Sequence, residues 1–264
     1  RVLRAIRLSE KLGLTIDEHT YINFRNAKHL LINEPKGRLF EEMLKILLSG
    51  NALNVVRELA ELNLPRRVFP LFDRLFFHKS HDDFAYKVLE KTDLRIASGE
   101  DVSLVFILAG LIWSAIYQSW QQELKQGVHA KQALMDAIAR NKTVIFNSGV
   151  TRNLYTAMRD MWMLQVEFDA PSVAKLDHLL NHNRFRQAWH LFTMRNDFLQ
   201  VDPQIFAWWD NFMASADDDK TDLMIELVDL APAEPKKKSK RRKSKRKRNV
   251  KKMPQVGENL EFDF

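Results

Sequence analysis

Apolar residues recur every three or four positions along almost the whole chain, which is the spacing of one face of an α-helix. No long stretch alternates between apolar and polar residues, and only 8 Gly and 8 Pro interrupt the pattern. The sequence therefore predicts an all-α fold. Predicted helices cover residues 1–12, 15–31, 38–49, 51–62, 66–77, 82–91, 101–118, 128–139, 151–167, 172–181, 184–197 and 203–214.

The first predicted helix carries apolar and basic residues on different sides. At 100° per residue, Ala5, Leu8 and Leu12 share one face, which we expect to be buried. The basic residues form a stripe on another face of this helix, consisting of Arg1, Arg4, Arg7 and Lys11. Such a stripe is either a solvated surface or a site for phosphate groups, and its spacing alone favours the solvated surface.

Local signals predict where other helices begin and how they are stabilised. Gly13 is expected to end the first helix as a C-terminal cap. Thr15 and Glu18 have the spacing of a capping box for the second helix. Within residues 38–49, Glu41 and Lys45 are placed for a favourable i, i+4 ion pair.

The longest apolar run, residues 102–116, contains 15 residues, whereas a membrane-spanning helix needs about 20. We interpret this run as a buried core helix. No N-terminal signal pattern is visible, so the sequence predicts no membrane association.

Charge is distributed very unevenly along the chain. Residues 236–252 contain 13 of the 41 Lys and Arg residues and no acidic residue, which leaves a net charge of −3 on residues 1–235. Because like charges repel and nothing apolar is available for burial, we expect residues 231–264 to be a disordered tail behind a Pro-containing linker. The alternatives for this run are a solubilising tail and a nuclear localisation signal.

The density of the basic run favours binding to a polyanion through its phosphates. No aromatic residue is interleaved, so base stacking is not offered and sequence selectivity should be poor. The candidate RNA-binding residues of this run are Lys236, Lys237, Lys238, Lys240, Arg241, Arg242, Lys243, Lys245, Arg246, Lys247 and Arg248, and Lys11 joins them from the first helix.

The sequence offers little for catalysis or metal binding. There is no Cys, which excludes disulfides and Cys-based zinc sites and fits a reducing, cytoplasmic setting. Gly-rich phosphate loops, G-x-S-x-G elbows and Asp-x-Asp pairs do not occur. We interpret the possible metal ligands as a helix start, a solvated turn and scattered histidines: His78, His81, Asp82 and Asp83; Asp217, Asp218 and Asp219; and His178, His182 and His190.

Several segments together resemble bacterial poly(A) polymerases, members of the class II nucleotidyltransferases that also include the tRNA CCA-adding enzymes. Residues 1–16 read RVLRAIRLSEKLGLTI, which is similar to the family's neck helix except that Leu8 replaces the usual Phe. The stretch PKGRLFEEMLKILLSGNA at 35–52 is similar to the next neck element. Segments typical of the poly(A) polymerase branch are RDMWMLQ at 159–165, FRQAWHLFTMR at 185–195, WWDNF at 208–212 and the basic tail.

The resemblance implies a division into parts and a set of roles. It implies a neck at residues 1–63, an RNA-binding helical body at 64–230 and the tail at 231–264. The catalytic head, with the aspartates that hold two Mg²⁺ ions, is expected outside these 264 residues, so this chain is expected to bind no metal. Arg1 would help to select ATP, and Arg4, Arg7 and Arg38 would line the neck cleft near phosphates, although Arg38 could instead brace its own helix through Glu41 or Glu42.

The function implied by this resemblance is that of the RNA-binding part of an enzyme that transfers AMP from ATP to RNA 3′ ends, which marks transcripts for decay. The partner would be single-stranded RNA bound without sequence preference, in the cytoplasm. Two alternatives stay open from the residues: a tRNA CCA-adding enzyme of the same superfamily, and a non-catalytic helical RNA-binding adaptor.

Overall fold

The computed structural model describes residues 1–77, 83–216 and 220–230, and throughout these residues the only regular secondary structure is helical. The all-α prediction is therefore confirmed. The described residues form one compact unit. The predicted tail, with its basic run, lies outside the described residues.

The first part of the chain consists of short helices that stack on one another. Their bounds are α1 Val2–Leu12, α2 Glu18–Ala27, a 3₁₀ helix Lys28–Asn33, α3 Lys36–Leu47, α4 Ala52–Glu61 and α5 Asp73–Phe77. Gly13 ends α1 in the left-handed conformation, with φ at 64°, as predicted. The capping box was wrong, because Asp17 caps α2 instead and its carboxylate accepts a hydrogen bond from the Thr20 N–H at 3.0 Å.

The buried face of α1 also differs from the predicted one. Leu3, Ile6 and Ser9 are buried, whereas Leu12 is 61% exposed. The helix carries two apolar arcs on either side of its basic stripe, and the periodicity alone did not show which arc packs on the neighbouring helices.

Residues 66–72 form turns rather than the start of the predicted helix 66–77. Pro70 lacks an N–H and disfavours a helix interior, and Arg67 adopts a positive φ of 74°. The Asp73 carboxylate accepts hydrogen bonds from the Arg67 N–H at 3.1 and 3.3 Å, which closes the turn just before α5.

The larger part of the chain packs its helices around an aromatic-rich core. The helix bounds are α6 Asp83–Ala97, α7 Leu104–Leu111, α8 Trp113–Lys125, α9 Ala130–Asn147, α10 Arg152–Asp169, α11 Val173–Leu180, α12 Phe185–Asp197, α13 Pro203–Ala214 and α14 Lys220–Leu230. Phe168 lies at the centre of one ring cluster, with the rings of Phe185, Trp189, Phe192 and Trp209 between 5.0 and 5.8 Å away.

The apolar run 102–116 is divided between two helices rather than forming the single predicted one. The chain bends by 55° between α7 and α8, shortly after Gly110, a weak helix former that packs closely on Val88 of α6. Most residues of α7 are buried, as predicted for a core segment. Within the described part of the chain no single helix is long and apolar enough to cross a membrane, and α7 with α8 meets the length and composition test only as a bent pair.

A carboxylate of α6 caps the N-terminus of α4. Asp93 of α6 accepts hydrogen bonds from the N–H groups of Ala52 at 2.8 Å and Leu53 at 2.9 Å, the first two residues of α4. Asn51, at the cap position itself, makes no side-chain cap bond. Helix α4 is thereby joined to α6 by a helix cap supplied from 40 residues further along the chain.

Candidate functional site

Helices α1 and α3 enclose a cleft of about 340 Å³ that is lined by three of the four predicted nucleotide-binding residues. Its apolar lining consists of Leu3, Leu31 and Leu39, which are buried. The charged side chains around it are Arg1, Arg4, Arg38 and Lys45, together with Glu34, Glu41 and Glu42. The structure therefore brings Arg1, Arg4 and Arg38 together, although Arg38 lies more than thirty positions away in the sequence.

The cations of this cleft differ in how strongly they are engaged. Arg38 Nη1 lies 3.2 Å from Glu34 Oε2, and the Arg38 side chain is 74% exposed. The alternative partners Glu41 and Glu42 predicted for Arg38 are thus replaced by Glu34, one turn earlier. Exposed pairs of this kind are worth about 0–1 kcal/mol, so Arg38 can exchange Glu34 for an incoming anion at little cost.

A second ion pair in the cleft also departs from the prediction. Lys45 Nζ lies 2.7 Å from Glu42 Oε1, at i, i+3 spacing, instead of pairing with Glu41. Arg1 and Arg4 are exposed, and neither makes a side-chain ion pair with any residue that the structure describes. Two unengaged guanidinium groups beside a weakly engaged third form a surface that can bind phosphate oxygens in bidentate fashion.

The predicted basic stripe does not act as a single surface. Arg7 lies next to the buried arc of α1 and is half-buried, and its Nε atom is buried without a hydrogen-bond partner among the described residues. Lys11 is exposed in the last turn of α1. Neither residue lines the cleft. The contacts predicted for Arg7 and Lys11 with nucleotide or RNA would therefore lie outside the pocket that Arg1 and Arg4 line.

Sequence reasoning missed Lys45 as a member of this cleft. It lies two helical turns after Arg38 on α3, and this i, i+7 spacing was the available signal. It also missed two groups that hold α2 and the 3₁₀ helix on α4. The first is Lys28, whose Nζ donates to the Leu62 carbonyl oxygen at 2.9 Å. The second is Tyr21, whose pKa is raised to about 12 by burial and by a hydrogen bond to Glu58.

The possible metal ligands that the structure describes do not come together in a metal site. Across residues 1–77, 83–216 and 220–230, no three His, Asp or Glu side chains come together as a metal site. His178 and His182 contact each other with ring centroids 6.2 Å apart. Of the other candidates, residues 78–82 and 217–219 lie outside the described residues.

Two family models match separate parts of this sequence. Residues 13–76 match a model described as "Probable RNA and SrmB- binding site of polymerase A", and residues 126–248 match "Polymerase A arginine-rich C-terminus". The first match contains Arg38 and α2 to α4, and the second contains α9 to α14 and most of the basic run.

Curated relatives extend the similarity over nearly the full chain. Poly(A) polymerase I of Salmonella typhi is 29% identical over 261 residues, which is 94% of this chain and 55% of the relative. The enzyme of the same name from Escherichia coli O6:H1 is 30% identical over 239 residues, covering 86% of this chain and 50% of the relative. The Haemophilus influenzae enzyme is 27% identical over 247 residues, covering 90% and 54%.

The chain belongs to the poly(A) polymerase family. The resemblance drawn from the neck and body motifs is thereby confirmed, and with it the choice of the poly(A) polymerase branch over the CCA-adding enzymes. The chain spans about half the length of the curated relatives that it matches. Residues 1–12, which carry Arg1, Arg4, Arg7 and Lys11, precede the first matched model, so the family match does not test their roles.

Proposed function

We propose that this chain is the RNA-binding part of a polynucleotide adenylyltransferase that adds AMP from ATP to RNA 3′ ends. The observation that carries the proposal is the joint match to an RNA-binding-site model and an arginine-rich C-terminal model of polymerase A within one chain. The aspartates and Mg²⁺ ions of the transfer step would come from a catalytic head outside these 264 residues. We therefore expect the 264-residue chain alone to bind RNA without transferring adenylate.

The basic run at 236–252 would provide most of the RNA affinity. Its Lys and Arg side chains would neutralise backbone phosphates and release counterions, which favours binding without reading the base sequence. The proposed contacts are the eleven residues from Lys236 to Arg248 named above. The RNA partner would be bound in the cytoplasm, where transcripts are modified and degraded.

The neck cleft would hold phosphate groups near the reaction centre. Arg1 and Arg4 are exposed and unengaged in the described structure, and Arg38 is held only by an exposed pair with Glu34. These three would contact the triphosphate of ATP or the last phosphates of the RNA. Arg7 and Lys11 would contribute from the same helix but outside the cleft.

The proposal is tested by measuring RNA affinity with and without the basic run. A variant lacking residues 236–252 and a control lacking residues 253–264 are titrated against fluorescein-labelled oligoadenylate by fluorescence anisotropy at several salt concentrations. Each phosphate contact adds about 0.7 to the slope of log affinity on log salt for a single strand, so loss of roughly six contacts should lower the slope by about four. The control should keep the full slope.

The outcomes separate the proposal from its alternatives. Equal affinity of both deletions at low salt would remove the basic run from the RNA-binding surface. When the chain is joined to the catalytic head encoded with it, incorporation of AMP into oligoadenylate supports the adenylyltransferase. Incorporation of CMP from CTP would favour a CCA-adding enzyme. A gene that encodes no such head would favour a non-catalytic RNA-binding adaptor.

A further inference from the structure

A second cavity, with a volume of about 410 Å³, lies in the body where α12 meets α6 and the start of α7. It shares no lining residue with the neck cleft. Its size falls in the range of about 300–1,000 Å³ that is common for small-ligand sites. We call it the α12 pocket, and its side chains that matter here are Lys91, Arg95, Phe106, Arg186, Gln187 and His190.

Three cations of the α12 pocket differ in how far they are already neutralised. Lys91 Nζ lies 3.1 Å from Asp197 Oδ2, and Arg95 Nη2 lies 3.0 Å from Glu100 Oε2. Both carboxylates are about half exposed, so these pairs are weak and exchangeable. Arg186 is exposed, and its side chain makes no hydrogen bond or ion pair with another described residue. It is the guanidinium that an incoming anion can engage without displacing a partner.

The imidazole of His190 lies among these cations. Its ring is half-buried and meets the Phe106 ring edge-on, with centroids 6.2 Å apart and planes at 90°. Burial lowers the pKa of His190, and the positive charges of Arg95, Arg186 and Lys91 lower it further. A bound anion would offset this repulsion and would supply an acceptor for the protonated ring.

Three other groups shape what the pocket can accept. The Gln187 Oε1 atom is buried and accepts no hydrogen bond from the described residues, so it is available to a hydroxyl of a ligand. Ser103 caps the start of α7 at the pocket, where the helix dipole adds positive potential. Asp101 also lines the pocket, and its carboxylate opposes the binding of an anion.

We propose that the α12 pocket binds the phosphate of a nucleotide unit, with Arg186 as its principal ligand and Lys91 and His190 as further donors. Gln187 would accept from a ribose hydroxyl, and Phe106 would offer an apolar edge beside the base. The phosphate could belong to a free nucleotide or to one unit of an RNA chain. That the phosphate comes from RNA rests on the proposed function, whereas binding of the phosphate itself does not.

The test follows His190 by NMR in the full 264-residue chain. Its ring signal, assigned with a His190→Gln variant, is titrated with pH in the presence of inorganic phosphate, AMP or short oligoadenylate, and with sodium chloride at equal ionic strength. We expect phosphate and AMP to raise the pKa of His190 and sodium chloride to leave it unchanged. No response of His190 to any of the phosphate compounds would overturn the proposal.

Substitutions with opposite expected effects identify the ligand residues. Arg186→Ala should weaken phosphate binding at least about tenfold, as expected when one charge-assisted hydrogen bond is lost. Arg152→Ala removes another exposed arginine charge, from α10, at a residue that does not line the pocket, and should leave the affinity unchanged. Asp101→Asn should strengthen binding. Equal effects of Arg186→Ala and Arg152→Ala would contradict the assignment of this pocket.

The same samples distinguish this inference from the proposed function. If the chain binds oligoadenylate by anisotropy but phosphate and AMP do not move His190, the pocket assignment fails and the RNA-binding proposal stands. If phosphate moves His190 but the chain has no affinity for RNA in dilute buffer, the pocket assignment stands and the RNA-binding proposal fails. A response to AMP that oligoadenylate does not reproduce identifies a site for free nucleotide.

Discussion

Arg195 and Asp169 form an ion pair inside the body, with Arg195 Nη2 2.8 Å from Asp169 Oδ2. The Arg195 side chain is 1% exposed. It also donates to Gln165 Oε1 and to the Gln200 carbonyl oxygen, each at 3.1 Å. Its guanidinium carbon lies 5.3 Å from the Trp113 ring centroid, so this one side chain links α8, α10, α12 and the residues after α12.

Removing one partner of this pair should destabilise the body strongly. Burial raises the pKa of Asp169, and the positive charge of Arg195 and its hydrogen bond oppose that rise. We expect Arg195→Met to lower the free energy of unfolding by at least about 2 kcal/mol, because it leaves the partly buried Asp169 carboxylate and the buried Gln165 Oε1 atom without their donor. Urea denaturation monitored by circular dichroism measures this change.

A matched control for Arg195→Met is available on α10. The Arg159 side chain is 55% exposed, and its Nε atom lies 3.9 Å from Asp160 Oδ1. Arg159→Met should therefore change the free energy of unfolding by no more than about 0.5 kcal/mol. A double variant with Asp169→Leu should recover part of the loss. Similar losses for Arg195→Met and Arg159→Met would contradict the role assigned to the buried pair.

The Asp93 cap should stabilise the contact between α4 and α6. Asp93→Ala removes the acceptor for two N–H groups at the start of α4, and we expect a loss of about 1–2 kcal/mol in unfolding free energy. Asp210→Ala, at an exposed position of α13, is the control and should have little effect. Hydrogen exchange should show faster opening of α4 in Asp93→Ala only. Unchanged exchange of α4 would exclude Asp93 as its cap.

A glycine after α9 allows α3 to pack closely on the body. Gly149 has a φ of 90°, and a Cβ atom there would lie 2.7 Å from Phe40 Cβ. Gly149→Ala should therefore lose about 1 kcal/mol for the backbone conformation and about 1–3 kcal/mol more for the clash. Gly127→Ala has a similar φ of 80° and open space around it, so it isolates the backbone effect. If thermal melts give equal losses of stability for Gly149→Ala and Gly127→Ala, the clash with Phe40 is removed by a small shift and contributes little.

The sequence predicted helices well where one apolar face and clear end signals coincide. The helices at 172–181, 184–197 and 203–214 agree closely with α11, α12 and α13, the last of which begins with Pro203 after the Asp202 cap. The sequence underestimated the length of α9, because the last turns of this helix contain polar residues such as Arg140 and Lys142 that interrupt the apolar period. It could not choose between the two apolar arcs of α1, because that choice depends on neighbours far away in sequence.

The same limit applies to the candidate site. The basic stripe of α1 was visible in the sequence, and Arg38 came from the family resemblance. That Arg1, Arg4 and Arg38 line one cleft while Arg7 turns toward the core depends on how α3 packs on α1. The α12 pocket could not be predicted, because Lys91 and Arg186 lie on separate helices whose packing no local pattern encodes.

Charges in the neck cleft should change RNA affinity in both directions. In the variant lacking residues 236–252, Arg4→Gln should weaken oligoadenylate binding severalfold and lower the salt slope by about 0.7. Glu34→Gln should strengthen binding, since it releases Arg38 from its pair. Arg25→Gln is the control within the neck, because Arg25 lies over the Tyr21 ring and does not line the cleft. Equal effects of Arg4→Gln and Arg25→Gln, read by anisotropy, would exclude the cleft as a phosphate site.

His190 should make the stability of the chain depend on pH near neutrality. Its folded-state pKa is lowered from 6.5, while the unfolded chain should retain a value near 6.5. Between these two values the unfolded state binds more protons, so the free energy of unfolding rises with pH. This contribution is fully present above about 6.5 and is lost as the pH falls from there through the lower folded-state pKa. His190→Gln should flatten this dependence, as measured by urea denaturation between about pH 5 and 8.

The control for this dependence is His178→Gln, which removes an exposed histidine from α11 and should leave the slope unchanged. Added phosphate should reduce the slope of the wild-type chain, because an anion beside His190 returns its pKa toward that of the unfolded state. It should not affect the slope of His190→Gln. If His178→Gln flattens the profile as much as His190→Gln does, the pH dependence does not arise in the α12 pocket.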